Sequence, residues 1–214
     1  MSTSNRGRPR TFDREHALHR AMEVFWAKGY EGAQLTDLTA AMGINPPSFY
    51  AAFGSKEEAF REAVELYRGT VGASTLRALD AGGSVRDAVE GMLLQSVDNV
   101  LAAPGRGGCL LILGVVNVLP ENEPLRRLLI GIRAETAARL QERLDRAVQE
   151  GELAQGTDTR ALTMHFATVM QGLSLQARDG ITREDLVRAV SSAVRVLDLH
   201  RGPRGADRAR SKRR

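Results

Sequence analysis

The chain has 214 residues, 43% hydrophobic and 26% charged, with one cysteine and a formal net charge of +4, the balance of a globular protein of one or two domains with a real core. A single cysteine excludes an internal disulfide and argues against a cysteine-based metal site, and no apolar run approaches the ~20 residues of a membrane span. The start, Met1-Ser2-Thr3-Ser4-Asn5, runs into arginines with no apolar stretch behind it, so it does not read as a signal peptide and the cytoplasm is the expected compartment. The charge is uneven. Residues 1–56 carry seven Lys/Arg against five Asp/Glu, and residues 201–214 carry seven against one, so 57–200 is net acidic. Basic ends point to a polyanionic partner, and the acidic remainder argues that this part does not lie on nucleic acid.

In chain order, residues 1–11 read as a flexible basic arm, with Arg8 and Arg10 placed to enter a DNA minor groove or simply to add counterion-release affinity. Asp13 caps a first helix with Leu18, Met22 and Phe25 on one face, closed by Gly29; His16 and His19 read as exposed residues near its start. Leu35, Leu38 and Met42 mark a short second helix. Gly43 ends it by accepting a positive φ. Asn45 is a good N-cap, with proline at the first helical positions, and Phe49 and Phe53 then face inward. Ser48, Ala51, Ala52 and Tyr50 lie away from them, small enough for the helix to lie in a major groove. Ser55 to Glu58 is a capping box that opens a fourth helix running to about Leu79, softened by Gly69 and Gly72.

A second box, Ser84 to Asp87, starts a helix to about Ala102. Cys109 to Leu119 reads as a buried apolar helix stopped by Pro120, and Leu125 to Val148 as a long one ending near Gly151. Helices over about 158–177 and 183–199 follow, and 201–214 reads as a disordered basic tail. The expected fold is all-α with nine helices.

The run Phe25-Trp26-Ala27-Lys28-Gly29-Tyr30-Glu31-Gly32, then Leu38 to Ile44, Ser48-Phe49-Tyr50 and Phe53 to Glu58, resembles the DNA-binding domain of the TetR family of bacterial transcriptional regulators. The resemblance covers most of 12–60, about a quarter of the chain, and leaves 61–200 as an expected ligand-binding and dimerisation domain. It implies DNA contacts from Thr36, Asn45, Pro46, Pro47, Ser48 and Tyr50, and a phosphate contact from Lys56. It implies a homodimer through about 158–199, where Ala161, Ala167, Gly172, Ala177, Ala189, Ser192 and Ala193 allow close helix approach, and hence an inverted-repeat operator in double-stranded DNA. It also implies a small-molecule effector among the later helices, with Met92, Ser96, Asn99, Cys109, Ile112, Asn117, His165 and Met170 as candidate lining residues. Cys109, read in the first turn of a helix, carries a second possibility, a thiol sensor with a lowered pKa. No phosphate loop, metal-ligand cluster or catalytic triad spacing supports an enzyme, and no cofactor is expected. Two further functions compete with regulation: an architectural DNA-binding protein with little sequence preference, and an all-α interaction module without DNA.

Overall fold

The computed structural model describes residues 13–103, 105 and 107–205. Expectations for the N-terminal arm, with Arg8 and Arg10, and for the tail beyond 205 fall outside the described residues. The regular elements among the described residues are all helices, and the only ladder-type pairing there is the isolated bridge Leu153–Arg201. None of these helices is long and apolar enough to cross a membrane.

The first helix, α1 (Arg14–Gly32), starts where Asp13 Oδ1 accepts the His16 N–H at 3.0 Å. Its regular part ends as predicted at Gly29, whose φ 70°, ψ 176° only glycine adopts readily. Helix α2 (Leu35–Met42) ends on the left-handed Gly43 at φ 69°. Helix α3 (Pro46–Phe53) begins with Asn45 Oδ1 accepting the Ser48 N–H at 2.9 Å, and α4 (Lys56–Tyr67) with Ser55 Oγ accepting the Glu58 N–H at 3.0 Å. Only half of the predicted Ser55 box forms, because the Glu58 carboxylate folds against Gly54 instead.

The predicted fourth helix is continuous in path but not in type. After α4 the backbone widens into a π turn, Arg68–Gly72, and resumes as α5 (Ala73–Asp80). This break raises the count among the described residues above the nine expected. Widening leaves carbonyls to be satisfied from elsewhere. Asn99 Nδ2 donates to Val71 O at 3.0 Å, and Thr70 Oγ1 to Leu66 O at 2.6 Å.

Helix α6 (Val85–Leu101) opens on the predicted Ser84–Asp87 box. The expected helix over 109–119 does not form. Only α7 (Leu110–Leu113) is helical, and the chain then turns at Gly114, with Val116 and Leu119 more than half exposed. The β-branched run Val115-Val116 resists another helical turn, and the Gly114 carbonyl is taken by the Tyr30 N–H at 2.8 Å. Helices α8 (Glu123–Gln149), α9 (Thr159–Arg178) and α10 (Arg183–Ala193) match expectation, the last two capped by Asp158 and Thr182. The predicted end at 199 is corrected: the chain tightens into 3₁₀ geometry over Val194–His200. Residues 201–205 are also not tail-like, since Gly202 and Arg204 donate to Glu152 O and Gly151 O at 2.9 and 3.1 Å.

Two hydrophobic cores result. One joins α1–α4 to Leu110, Val115, Leu125, Leu129 and Ile132, so the N-terminal head shares its core with the body. The other lies within α5, α6 and α8–α10. At the far end of the body, buried Arg143 pairs with buried Glu152 at 3.1 Å while Glu152 Oε2 accepts the Val85 N–H at 2.8 Å.

At Gly29 a Cβ would stand 3.2 Å from Gly114 O in a backbone region closed to other residues. Gly29→Ala is expected to destabilise the chain by about 1–3 kcal/mol, read as a shifted urea midpoint at unchanged slope.

Candidate DNA-reading surface and effector cavity

The reading head is built from its core outward. Phe49 and Phe53 are buried, with ring centroids 5.6 Å apart. Their burial leaves Asn45, Pro46, Pro47, Ser48 and Ala51 exposed on the other side of α3, with Tyr50 52% exposed. Thr36 on α2 is exposed as well. Arg14 braces the back of the helix: Nε donates to Ala52 O at 3.2 Å, Nη2 pairs with Glu62 at 2.7 Å and the guanidinium lies 4.8 Å from the Phe53 ring centroid. Lys56 is half-buried, its ammonium 4.4 Å from the Tyr30 ring centroid. Burial lowers its pKa from the ordinary lysine value, with nearby Glu31 opposing. It therefore sits closer to the head's own core than a free phosphate-seeking lysine would.

The head is fastened to the body through α1 and the irregular stretch around α7. The Trp26 indole N–H donates to Gly108 O at 2.7 Å, and Glu31 Oε1 accepts from Leu119 N and Asn122 Nδ2 at 2.9 and 2.8 Å. The Trp26 and Tyr67 rings meet edge to face, 4.9 Å between centroids. Tyr67 OH in turn donates to Cys109 Sγ at 3.3 Å.

Behind Tyr67 lies a cavity of about 70 Å³. Helix α6 contributes Ser96, Asn99 and Val100, the α7 stretch contributes Cys109, Leu111 and Ile112, α8 contributes Arg133 and Thr136, and α9 contributes Met170. Burial pushes the Tyr67 hydroxyl and the Cys109 thiol above their ordinary values, so both are neutral at pH 7. That overturns the premise of a sensor thiolate. Cys109 precedes a helix of four residues, and desolvation outweighs the hydrogen bonds that favour the anion.

Five of the eight predicted lining residues meet at this cavity: Ser96, Asn99, Cys109, Ile112 and Met170. Three do not. Met92 is fully buried in the body core. Asn117 is exposed because its segment is not helical, and His165 is exposed on α9, 3.4 Å from Ala193 O. Asn99 is also occupied, since its amide donates to Val71 O, Ser74 Oγ and Thr75 Oγ1 and pins the π turn. Sequence reasoning missed Tyr67 and Arg133. The signal for Arg133 was present: it follows Leu129 by four positions, which puts a charge on the inward stripe of α8.

A helix-turn-helix with its second helix exposed, on an all-α body with a cavity, is the architecture of a DNA-binding transcriptional regulator. Residues 17–63 match the family described as bacterial regulatory proteins, tetR family, and residues 85–193 match the tetracyclin repressor-like C-terminal domain. The HTH-type transcriptional repressor ComR of Escherichia coli is 30% identical over 193 residues, covering 90% of this chain and 92% of that protein. A cysteine mutant of the TetR family regulator CifR, solved with 26-base-pair double-strand operator DNA, is 45% identical with a TM-score of 0.83, covering 88% of this chain and 98% of that one. The chain belongs to the TetR family.

Trp26→Phe keeps an aromatic ring, smaller than the indole, and removes the donor to Gly108 O. A loss of about 1–2 kcal/mol in unfolding free energy is expected, with faster amide exchange at 108–114 by mass spectrometry.

Proposed function

We propose that the chain is a homodimeric repressor that seats two heads on an inverted-repeat operator and is released when a small molecule occupies the cavity behind Tyr67. One observation carries this reading. Tyr67 belongs both to the wall of the cavity and to the joint that holds the head, and Cys109 on the same wall directly follows Gly108, the acceptor of the Trp26 indole. A ligand entering that space moves Tyr67 or α7, and neither moves without disturbing Trp26.

The pairing surface follows from α9, where Ala161, Met164, Thr168, Gly172 and Leu175 line one exposed face, with Met164 60% exposed. A partner's equivalent helices would cover it. A two-fold axis there places the α3 helices about one DNA turn apart, roughly 34–36 Å. The DNA-bound CifR neighbour and the repressor ComR support this reading, as does the exposure of Asn45, Ser48 and Tyr50 on α3.

Two experiments test it. Fragmented genomic DNA mixed with the protein at about 0.15 M salt should return a few inverted repeats, and diffuse recovery would sink specific regulation in favour of an architectural role. Ala137 lines the cavity. Ala137→Leu fills it, so operator binding should survive while release by effector-containing cell extract is lost, a shift of about 5–150-fold in apparent affinity removed. Normal release from the filled protein would separate the cavity from regulation.

A further inference from the structure

The cavity wall carries one cation that no acidic group neutralises. Arg133 Nη1 donates to Leu111 O at 2.5 Å, and no carboxylate pairs with it among the described residues. Its neighbours on α8 differ: Arg126, Arg127, Arg139 and Arg143 each have an acidic partner. Burial lowers the guanidinium's pKa, yet arginine stays charged at neutral pH. On the wall supplied by α6, Ser96 is only 6% exposed and turns a hydroxyl-bearing side chain to the same cavity. Around these two groups the surface is mostly apolar, from Val100, Leu111, Ile112 and Met170, with Asn99 and Thr136 also on the wall. A half-buried cation without a carboxylate, with a hydroxyl beside it on a largely apolar wall, leaves room for a partner that completes them.

What completes them is an anion with a short apolar body. Arg133 is the only formally charged residue lining the cavity among the described residues, because Tyr67 and Cys109 are neutral, so one negative charge balances the site. A planar carboxylate matches the guanidinium fork with two parallel hydrogen bonds. The volume sets the size: about 70 Å³ is less than half of the ~150 Å³ in which an engineered cavity holds benzene. We propose that the cavity binds a small aliphatic monocarboxylate, its carboxylate on Arg133 and the Ser96 hydroxyl and its chain against Val100, Ile112 and Met170. This rests on the effector-release reading and names the effector's class.

Trp26 is the only tryptophan and touches Tyr67 on the cavity wall, so its fluorescence reports occupancy. The full chain is titrated with sodium butyrate and with butyramide at matched ionic strength, and operator release is followed in parallel. Butyrate should give a saturable emission change with a midpoint at least about tenfold below that of butyramide. Arg133→Gln should erase that preference, and Ser96→Ala, a milder change should the first variant fail to fold, should weaken butyrate severalfold while the preference for acid over amide stays. Equal binding of acid and amide, no saturable response to butyrate, or an unaltered Arg133→Gln protein would overturn the assignment. Release of operator by neutral compounds in both wild type and Arg133→Gln overturns the carboxylate and leaves effector release standing. Saturable butyrate binding without operator release upholds the ligand class and overturns the release mechanism.

Discussion

The edge-to-face contact of Trp26 with Tyr67 is the hinge on which the rest depends. Tyr67 is the last residue of α4, is 1% exposed, and stands between the head's aromatic core and the cavity. On one side of it Trp26 reaches across to Gly108 O, and Phe25, Tyr30 and Phe60 stack behind. On the other side lie Cys109 and the cavity bounded by α6 and α8. Packed interiors are close to incompressible, so a displacement of this ring passes to its neighbours rather than dissipating. A regulator needs that stiffness between its two sites and softness somewhere nearby.

The softness is in the backbone beside it. Immediately after Tyr67 the helix widens into the π turn Arg68–Gly72, with two glycines and no buried residue. A helix held by ideal hydrogen bonds would resist rotation of α4 against α5. This one keeps only the wider π-type backbone bonds and is braced by side chains, with Asn99 gripping Val71 O, Ser74 and Thr75. Across the same turn Arg68 reaches Glu135 on α8. That pair is largely exposed, so it contributes little net stability and can part without much cost. A backbone that can yield here is what a ligand of modest differential affinity would need in order to shift the balance between two states.

The head was legible in the sequence because its signals are local. Asp13, Gly43, Asn45 and Ser55 act on backbone within three or four residues, and the Phe49–Phe53 spacing orients a helix without help from elsewhere. The stretch 109–119 was misread because its conformation is decided from a distance. Its hydropathy suits a buried helix, yet Gly108, Gly114 and Leu119 offer their backbone groups to Trp26, Tyr30 and Glu31, 82 to 88 positions away for the two side-chain contacts. No periodicity within eleven residues encodes that. The cavity was half legible for a related reason. Inward-facing residues on α6 can be picked from a helical wheel, but which of them face a void and which, like Met92, are packed solid depends on how four helices meet.

Local chemistry also decides how the head would read DNA. Along the exposed face of α3, Pro46 and Pro47 have no N–H and Ala51 has no reach, so apolar contact with thymine methyl groups is all they can give. Asn45 already spends its carbonyl oxygen on the Ser48 N–H, which leaves its amide as a donor only. Ser48 and Tyr50 present hydroxyls on the exposed face, short of the bidentate fork with which arginine or glutamine separates bases. A helix equipped in this way would distinguish sequences mainly by fit. Its small face would let the backbone sit deep in the groove, where width and deformability of the DNA, rather than a dense set of base hydrogen bonds, would set the energy difference between sites. Two such heads on one dimer would compound that preference, because the spacing between half-sites would then be read along with the bases within them.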